Sequence, residues 1–236
     1  MTTMPSRILN LSCIAVAVTG ASTLHATCHA GAVNVVTFDG WAGPFVSPLW
    51  TRGVVGSVGA LPTTSGGYAG FTWSATQTQS STGVPAGAVG LYQPDSNVAN
   101  GFTAALPDGG TAVFNPWGGT IRVARSERWS FVGANFTAAW NAVLTISIRG
   151  LRDGAEVVSQ SVTLGNPTAP TTITALGGFV DLDEVQISSS GGSPYWNSGA
   201  GNQFILDDFA YFVPSPGALA LMVGSFGCVW MPRRRS

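Results

Sequence analysis

Apolar and polar residues alternate in short runs along most of this chain, and Gly, Pro, Asn and Asp clusters separate the runs. This period of two is the signature of half-buried strands. The clearest case is 142–149, where Leu144, Ile146 and Ile148 share one face and Val143, Thr145, Ser147 and Arg149 the other. In 68–74, Phe71 and Trp73 oppose Tyr68, Gly70, Thr72 and Ser74. Further strands are expected at 33–38, 54–61, 88–92, 102–106, 111–114, 120–124, 129–136, 155–164, 171–180, 184–188 and 203–212. Asp39-Gly40, Pro107-Asp108-Gly109-Gly110 and Arg152-Asp153-Gly154 supply turn chemistry between them. The expected fold is all-β, a jelly-roll-like two-sheet antiparallel β-sandwich, with the first strand paired to the last.

The two ends break this pattern. Residues 1–30 begin with Arg7 and continue into an apolar run at 8–18, then small residues with candidate cleavage sites near Ala26 and Ala30. That order reads as a secretory signal peptide. The other end, 213–236, opens with Val213, Pro214, Ser215 and Pro216. An apolar stretch follows from 217 to 231, predicted to be a hydrophobic helix, and the chain closes on Arg233, Arg234, Arg235 and a serine. The stretch is short for crossing a bilayer unaided, and the arginines behind it favour the cytoplasmic side. The exported domain between them is 31–212.

This tail resembles the PEP-CTERM sorting signal of bacterial exosortase substrates. A short Pro-containing motif, a hydrophobic helix and a basic cluster stand in the family's order, with Ser215 in place of its usual glutamate. The resemblance covers about a tenth of the chain. It implies an exosortase-type processing enzyme as partner and transient membrane anchoring through the C-terminal helix. Cut or retained as an anchor, the tail leads to the cell envelope, surface or extracellular matrix. The strand pattern, with Thr-Phe-Asp-Gly near its start and Leu-Asp-Asp-Phe near its end, also resembles β-sandwich domains attached to such signals.

Composition narrows the chemistry. The chain contains no lysine, and 31–212 holds six arginines against eleven acids, so it lacks the basic footprint of a nucleic-acid binder. The cysteines, Cys13, Cys28 and Cys228, fall outside the domain, so no disulfide framework is available there. His25 and His29 precede a cut after Ala30. The exported domain then has no residue for a Ser-His-Asp triad, a cysteine nucleophile, a Schiff base or a His-ligated zinc or copper. Carboxylates and neutral polar groups remain.

Three uses of those groups stand out. Asp39 closes the first strand and Asp207 and Asp208 lie on the last, so paired terminal strands would let them share a structural Ca2+. Consecutive strand residues face opposite ways, so Asp207 and Asp208 share a face only across a bulge. Tyr195 and Trp196 sit in a Gly/Ser-rich loop and are candidates for stacking on a glycan. Asp181, Asp183 and Glu184 form a local acidic cluster, the one starting point for a carboxylate-based glycosidase. The leading expectation is a non-enzymatic, exported surface or matrix protein. The alternative is a carbohydrate-binding, lectin-like module, calcium-dependent in one form, with extracellular polysaccharide as partner. A shared calcium ion predicts that EGTA lowers the melting temperature of residues 31–212 and that Asp207→Ala abolishes the difference. A melt indifferent to EGTA removes the ion.

Overall fold

A computed structural model describes residues 32–45, 56–80, 84–94, 101–104, 106, 110–196 and 201–214. The signal segment lies outside the described residues, as do Ser215, Pro216, Arg233, Arg234 and Arg235. The strands, in chain order, are β1 (Val33–Val36), β2 (Gly56–Ala60), β3 (Thr72–Ala75), β4 (Gly90–Pro94), β5 (Ala112–Phe114), β6 (Ile121–Ala138), β7 (Asn141–Ala142), β8 (Thr145–Arg152), β9 (Ala155–Thr163), β10 (Thr171–Thr174), β11 (Leu182–Ser190), β12 (Ser193–Pro194) and β13 (Phe204–Phe212). A single helical turn, α1 (Gly101–Ala104), stands between β4 and β5.

The pairings are antiparallel, and one strand organises them. The first half of β6 pairs with β3 and β11, which continues through β8 to β9. Its second half pairs with β10 on one edge and β13 on the other. Beyond β13 come β5, β4 and β2, and β1 joins β13 past the end of β5. Strand β6 therefore belongs to both layers of a β-sandwich. The layers meet through aromatic rings: Trp73 of β3 lies 5.4 Å from Phe209 of β13, and Trp129 of β6 lies 5.8 Å from it. Phe71, fully buried, packs edge-on against Trp129 at 4.9 Å and Tyr211 at 4.8 Å. Leu144, Ile146 and Ile148 complete this core from β8 and its approach, on the face their alternation predicts. Each fully buried ring or branched chain contributes about 1.5–3 kcal/mol through burial.

The terminal strands pair as expected, with Val33 opposite Phe212 and Val36 opposite Phe209. Several elements differ from the sequence expectation. In 68–74 a turn with Ala69 and Gly70 at positive φ, closed by a Tyr68–Phe71 bridge, delays the strand to Thr72, and in 142–149 Val143 at φ 58° delays it to Thr145. Residues 120–124 and 129–136 form one strand, because the polar run Arg125-Ser126-Glu127-Arg128 stays extended where β6 passes between the layers. Residues 102–106 contribute α1 rather than a strand: Phe102 and Leu106, four apart, enter one apolar cluster together. Strand 171–180 stops at Thr174, and a turn then brings Phe179 into the main core.

That second apolar cluster covers the outer face of the β2–β4–β5 half of the sheet. Phe102 lies 5.2 Å from Tyr92 and 5.6 Å from Trp140, with Val58, Ala112 and Ile205 beneath. Ile205 faces outward into it while its neighbours Phe204 and Leu206 face the main core. Among the described residues, nothing covers the rest of this outer face, over β1, β13, β6 and β10.

Candidate functional site

The open half of the face forms a groove of about 1210 Å³. Its floor is small: Gly133 and Ala210 line it at the centre. Gly133 is required by close approach, since a Cβ there would lie 2.5 Å from the Ile173 carbonyl oxygen across the β6–β10 pair. The walls carry Asn34, Thr37, Asn135, Thr172, Thr174 and Tyr68, with Asp39 and Asp208 as the charged members. Among the described residues no arginine lines the groove.

The polar residues of the groove are joined across strands. Thr172, Asn135 and Asp207 are register partners on β10, β6 and β13. Thr172 Oγ1 donates to Asn135 Oδ1 at 2.6 Å, and Asn135 Nδ2 donates to Asp208 Oδ2 at 2.8 Å. The Asp208 backbone N–H donates in turn to Asp207 Oδ1 at 2.8 Å. Both acids belong to a bulge: the β13 register shifts between Asp207 and Ala210, and Asp208 adopts φ 49°. The inward positions change phase here, from Phe204 and Leu206 to Phe209 on β13 and from Trp129 and Phe131 to Ala134 and Phe136 on β6. One extra residue on β13 lets the acids follow one another without either entering the aromatic core.

The bulge also brings the terminal acids into one neighbourhood. Burial pushes Asp207 up to about 7, with Asp208 and Asp39 adding repulsion and the Asp208 N–H opposing. Asp39 Oδ1 accepts a hydrogen bond from Thr111 N at 2.8 Å. Tyr68 stands beside them; burial first, then Asp39 and Asp207, raises its pKa. Its hydroxyl donates to the Thr37 carbonyl at 2.8 Å, and its ring stacks on Phe38 at 5.6 Å. Asp208 is turned toward Asn135. Among the described residues no three His, Cys, Asp or Glu side chains gather in a metal-holding group.

The remaining candidates are placed differently. Tyr195 is exposed, whereas Trp196 packs against the second apolar cluster. Their rings meet edge to face at 4.9 Å and 85°, so the pair does not present one continuous flat surface. Of the acidic cluster, Asp183 is held by Arg128 at 3.2 Å and Asp181 by Arg152 at 3.2 Å, while Glu184 accepts from Gln186 at 2.7 Å. Val213 packs against the main core at the end of β13, and Pro214 follows it. Sequence reading missed the contributions of Tyr68, Asn135 and Thr172. Asn135 was legible there as part of the sequon Asn135-Phe136-Thr137, inside a predicted strand. Only the β10–β6–β13 register gives it Thr172 and Asp208 as partners.

No protein-family model matches this sequence, and no curated protein matches it. Among solved structures, the chain is similar to a DUF4465 family protein from Bacteroides caccae, at 11% identity over 78% of this chain and 99% of that chain, with a TM-score of 0.43. It is also similar to the family 32 carbohydrate-binding module of C. perfringens NanJ in complex with galactose (17% identity, 65% of this chain, 98% of that chain, TM-score 0.37). A third is TmCBM61 in complex with β-1,4-galactotriose (14% identity, 61% and 88% coverage, TM-score 0.35).

Asp207 gives the domain a pH signature. Its folded pKa of about 7 lies above the ordinary 3.8, so the fold binds this proton more tightly than the unfolded chain does. That contribution is complete below the ordinary value and is lost as pH rises through about 7. Urea melts in metal-free buffer should therefore show stability falling across this window, and Asp207→Asn should flatten the fall. An identical pH profile in the variant would contradict the assignment.

Proposed function

We propose that this chain is an exported cell-surface or extracellular-matrix protein whose β-sandwich domain, of jelly-roll type, binds neutral carbohydrate without catalysis. The observation that carries the reading is the half-covered sheet face. One half is sealed by α1 and the second apolar cluster, and the other half is an open groove across four strands. The groove offers what a sugar polymer uses: amides and hydroxyls for its hydroxyl groups, and small apolar residues beneath them. With two acids and no arginine on its walls, it favours neutral chains over uronic or sulfated ones. The acids at 181, 183 and 184 already have protein partners, which supports a binding role over a hydrolytic one.

Calcium belongs to this reading as a structural ion at Asp39 and Asp207, where it would relieve the repulsion that the exposed Asp39 adds to the largely buried Asp207 carboxylate. Export and sorting belong to it through the two chain ends, with an exosortase-type enzyme acting on the tail. The Val213 side chain packs on the domain, so cleavage after Pro214 would leave the fold whole.

Two experiments test the reading. Isothermal titration with neutral and uronic oligosaccharides should find neutral ligands preferred, and Asn135→Ala should weaken them about tenfold, the equivalent of one lost hydrogen bond near 1.4 kcal/mol. Equal affinity in wild type and variant, at unchanged melting temperature, would eliminate the groove. In cells, replacing Arg233, Arg234 and Arg235 with serine should move the protein from the envelope fraction to the soluble one. Unaltered fractionation would eliminate the sorting role of the tail.

A further inference from the structure

The turn that joins β5 to β6 presents the second exposed surface of interest. Trp117 sits at its tip, 59% exposed, with φ 56° and ψ 18°. Bulky residues rarely occupy this left-handed region, and such strain persists only where the surroundings impose it. Here they do. Asn115 beneath is fully buried: its Oδ1 accepts from Phe204 N at 2.6 Å, and its Nδ2 reaches the Gly119 carbonyl at 3.1 Å and Ser189 Oγ at 3.2 Å. Pro116 is buried, and Gly119 N closes the turn on the Pro116 carbonyl at 3.0 Å. The most exposed tryptophan of the described residues thus sits on a backbone held from beneath by Asn115 and Pro116.

A cleft of about 420 Å³ lies beside the indole, between this turn and the segment Thr76, Gln77, Thr78 and Gln79. Its side-chain polar groups are hydroxyls and amides, with no charged residue among them. Gln77 is 8% exposed and spends its Nε2 on the Ala88 carbonyl at 2.6 Å and the Pro85 carbonyl at 3.3 Å. Its Oε1 is buried without a partner among the described residues. A buried acceptor left open is costly, and Gln77 is one of the residues that line the cleft.

We propose that Trp117 and this cleft form a second carbohydrate subsite, which stacks one neutral pyranose ring on the indole and bonds its hydroxyls through Gln77, Gln79 and Thr78. The indole supplies an apolar, electron-rich face for sugar C–H groups, and a rigid side chain loses little freedom on binding. The uncharged lining gives phosphate or carboxylate ligands nothing to pair with. No residue lines both this cleft and the sheet groove. The subsite takes its ligand class from the carbohydrate reading above but stands on separate residues.

The test uses the full chain, titrated with neutral methyl pyranosides and their β-linked oligosaccharides by calorimetry and tryptophan fluorescence. Trp117→Ala should weaken binding at least tenfold, and Trp117→Phe should restore part of it. Trp117→Gly should lose binding yet melt ~2–4 °C higher, because glycine relieves the left-handed strain. Loss in Trp117→Ala alone keeps this subsite and removes the groove. Loss in Asn135→Ala alone keeps the groove and overturns this proposal. Wild-type chain that binds no sugar overturns both. Sugar-independent self-association that disappears in Trp117→Ala also overturns it, and makes the indole a protein contact.

Discussion

The fold depends on one strand serving two sheets. Strand β6 hands its hydrogen bonds to β3 and β11 along its first half and to β13 and β10 along its second. Its inward side chains must therefore meet the same aromatic core from both layers. A strict period of two cannot do this over the whole length, and the phase of β6 slips between Phe131 and Ala134. Its partner β13 slips at the same level, through the bulge at Asp207 and Asp208. The aromatic packing around Phe209 and the polar outer face at Asn135 are two sides of that single adjustment.

The same adjustment decides where chemistry gathers. Without the bulge, strict alternation from Phe204 and Leu206 would turn Asp208 into the aromatic core and Phe209 out of it. With it, both stay on the outer face, one half-buried beside Asp39 and one hydrogen-bonded to Asn135. The apolar cluster capped by α1 ends where these acids begin, at Ile205. Covered and open halves of the sheet therefore meet at the most strongly perturbed carboxyl of the described residues.

Sequence pattern revealed what local periodicity controls. Phe71 and Trp73 on one face, Leu144, Ile146 and Ile148 on another, and the turn at Asp153-Gly154 follow from alternation and from glycine. The pairing of the terminal strands followed from general sandwich architecture. The continuity of β6 was hidden, because Arg125 to Arg128 reads as a turn until the passage between layers explains why four polar residues remain extended. The bulge was legible as a condition on Asp207 and Asp208, though not as a fact, since its position is set by β6. Phe102 and Leu106 suit a strand or a helical turn equally, and the exposed face they cover decides the matter. Tyr68 joined the acids through tertiary contacts, its stacking on Phe38 and its hydrogen bond to the Thr37 carbonyl.

The pairing of β1 with β13 also fixes how the domain would carry a load. Val33 lies opposite Phe212, so the chain enters and leaves at the same end. A pull that separates those two ends unzips β1 from β13 one bond at a time, a path of low mechanical resistance. A pull between Phe212 and something gripped on the outer face acts along β13 instead. There β6 flanks it on one edge and β5 and β1 on the other, and their hydrogen bonds lie across the force and must break together. The domain is weak when stretched end to end and strong when pulled between its outer face and Phe212.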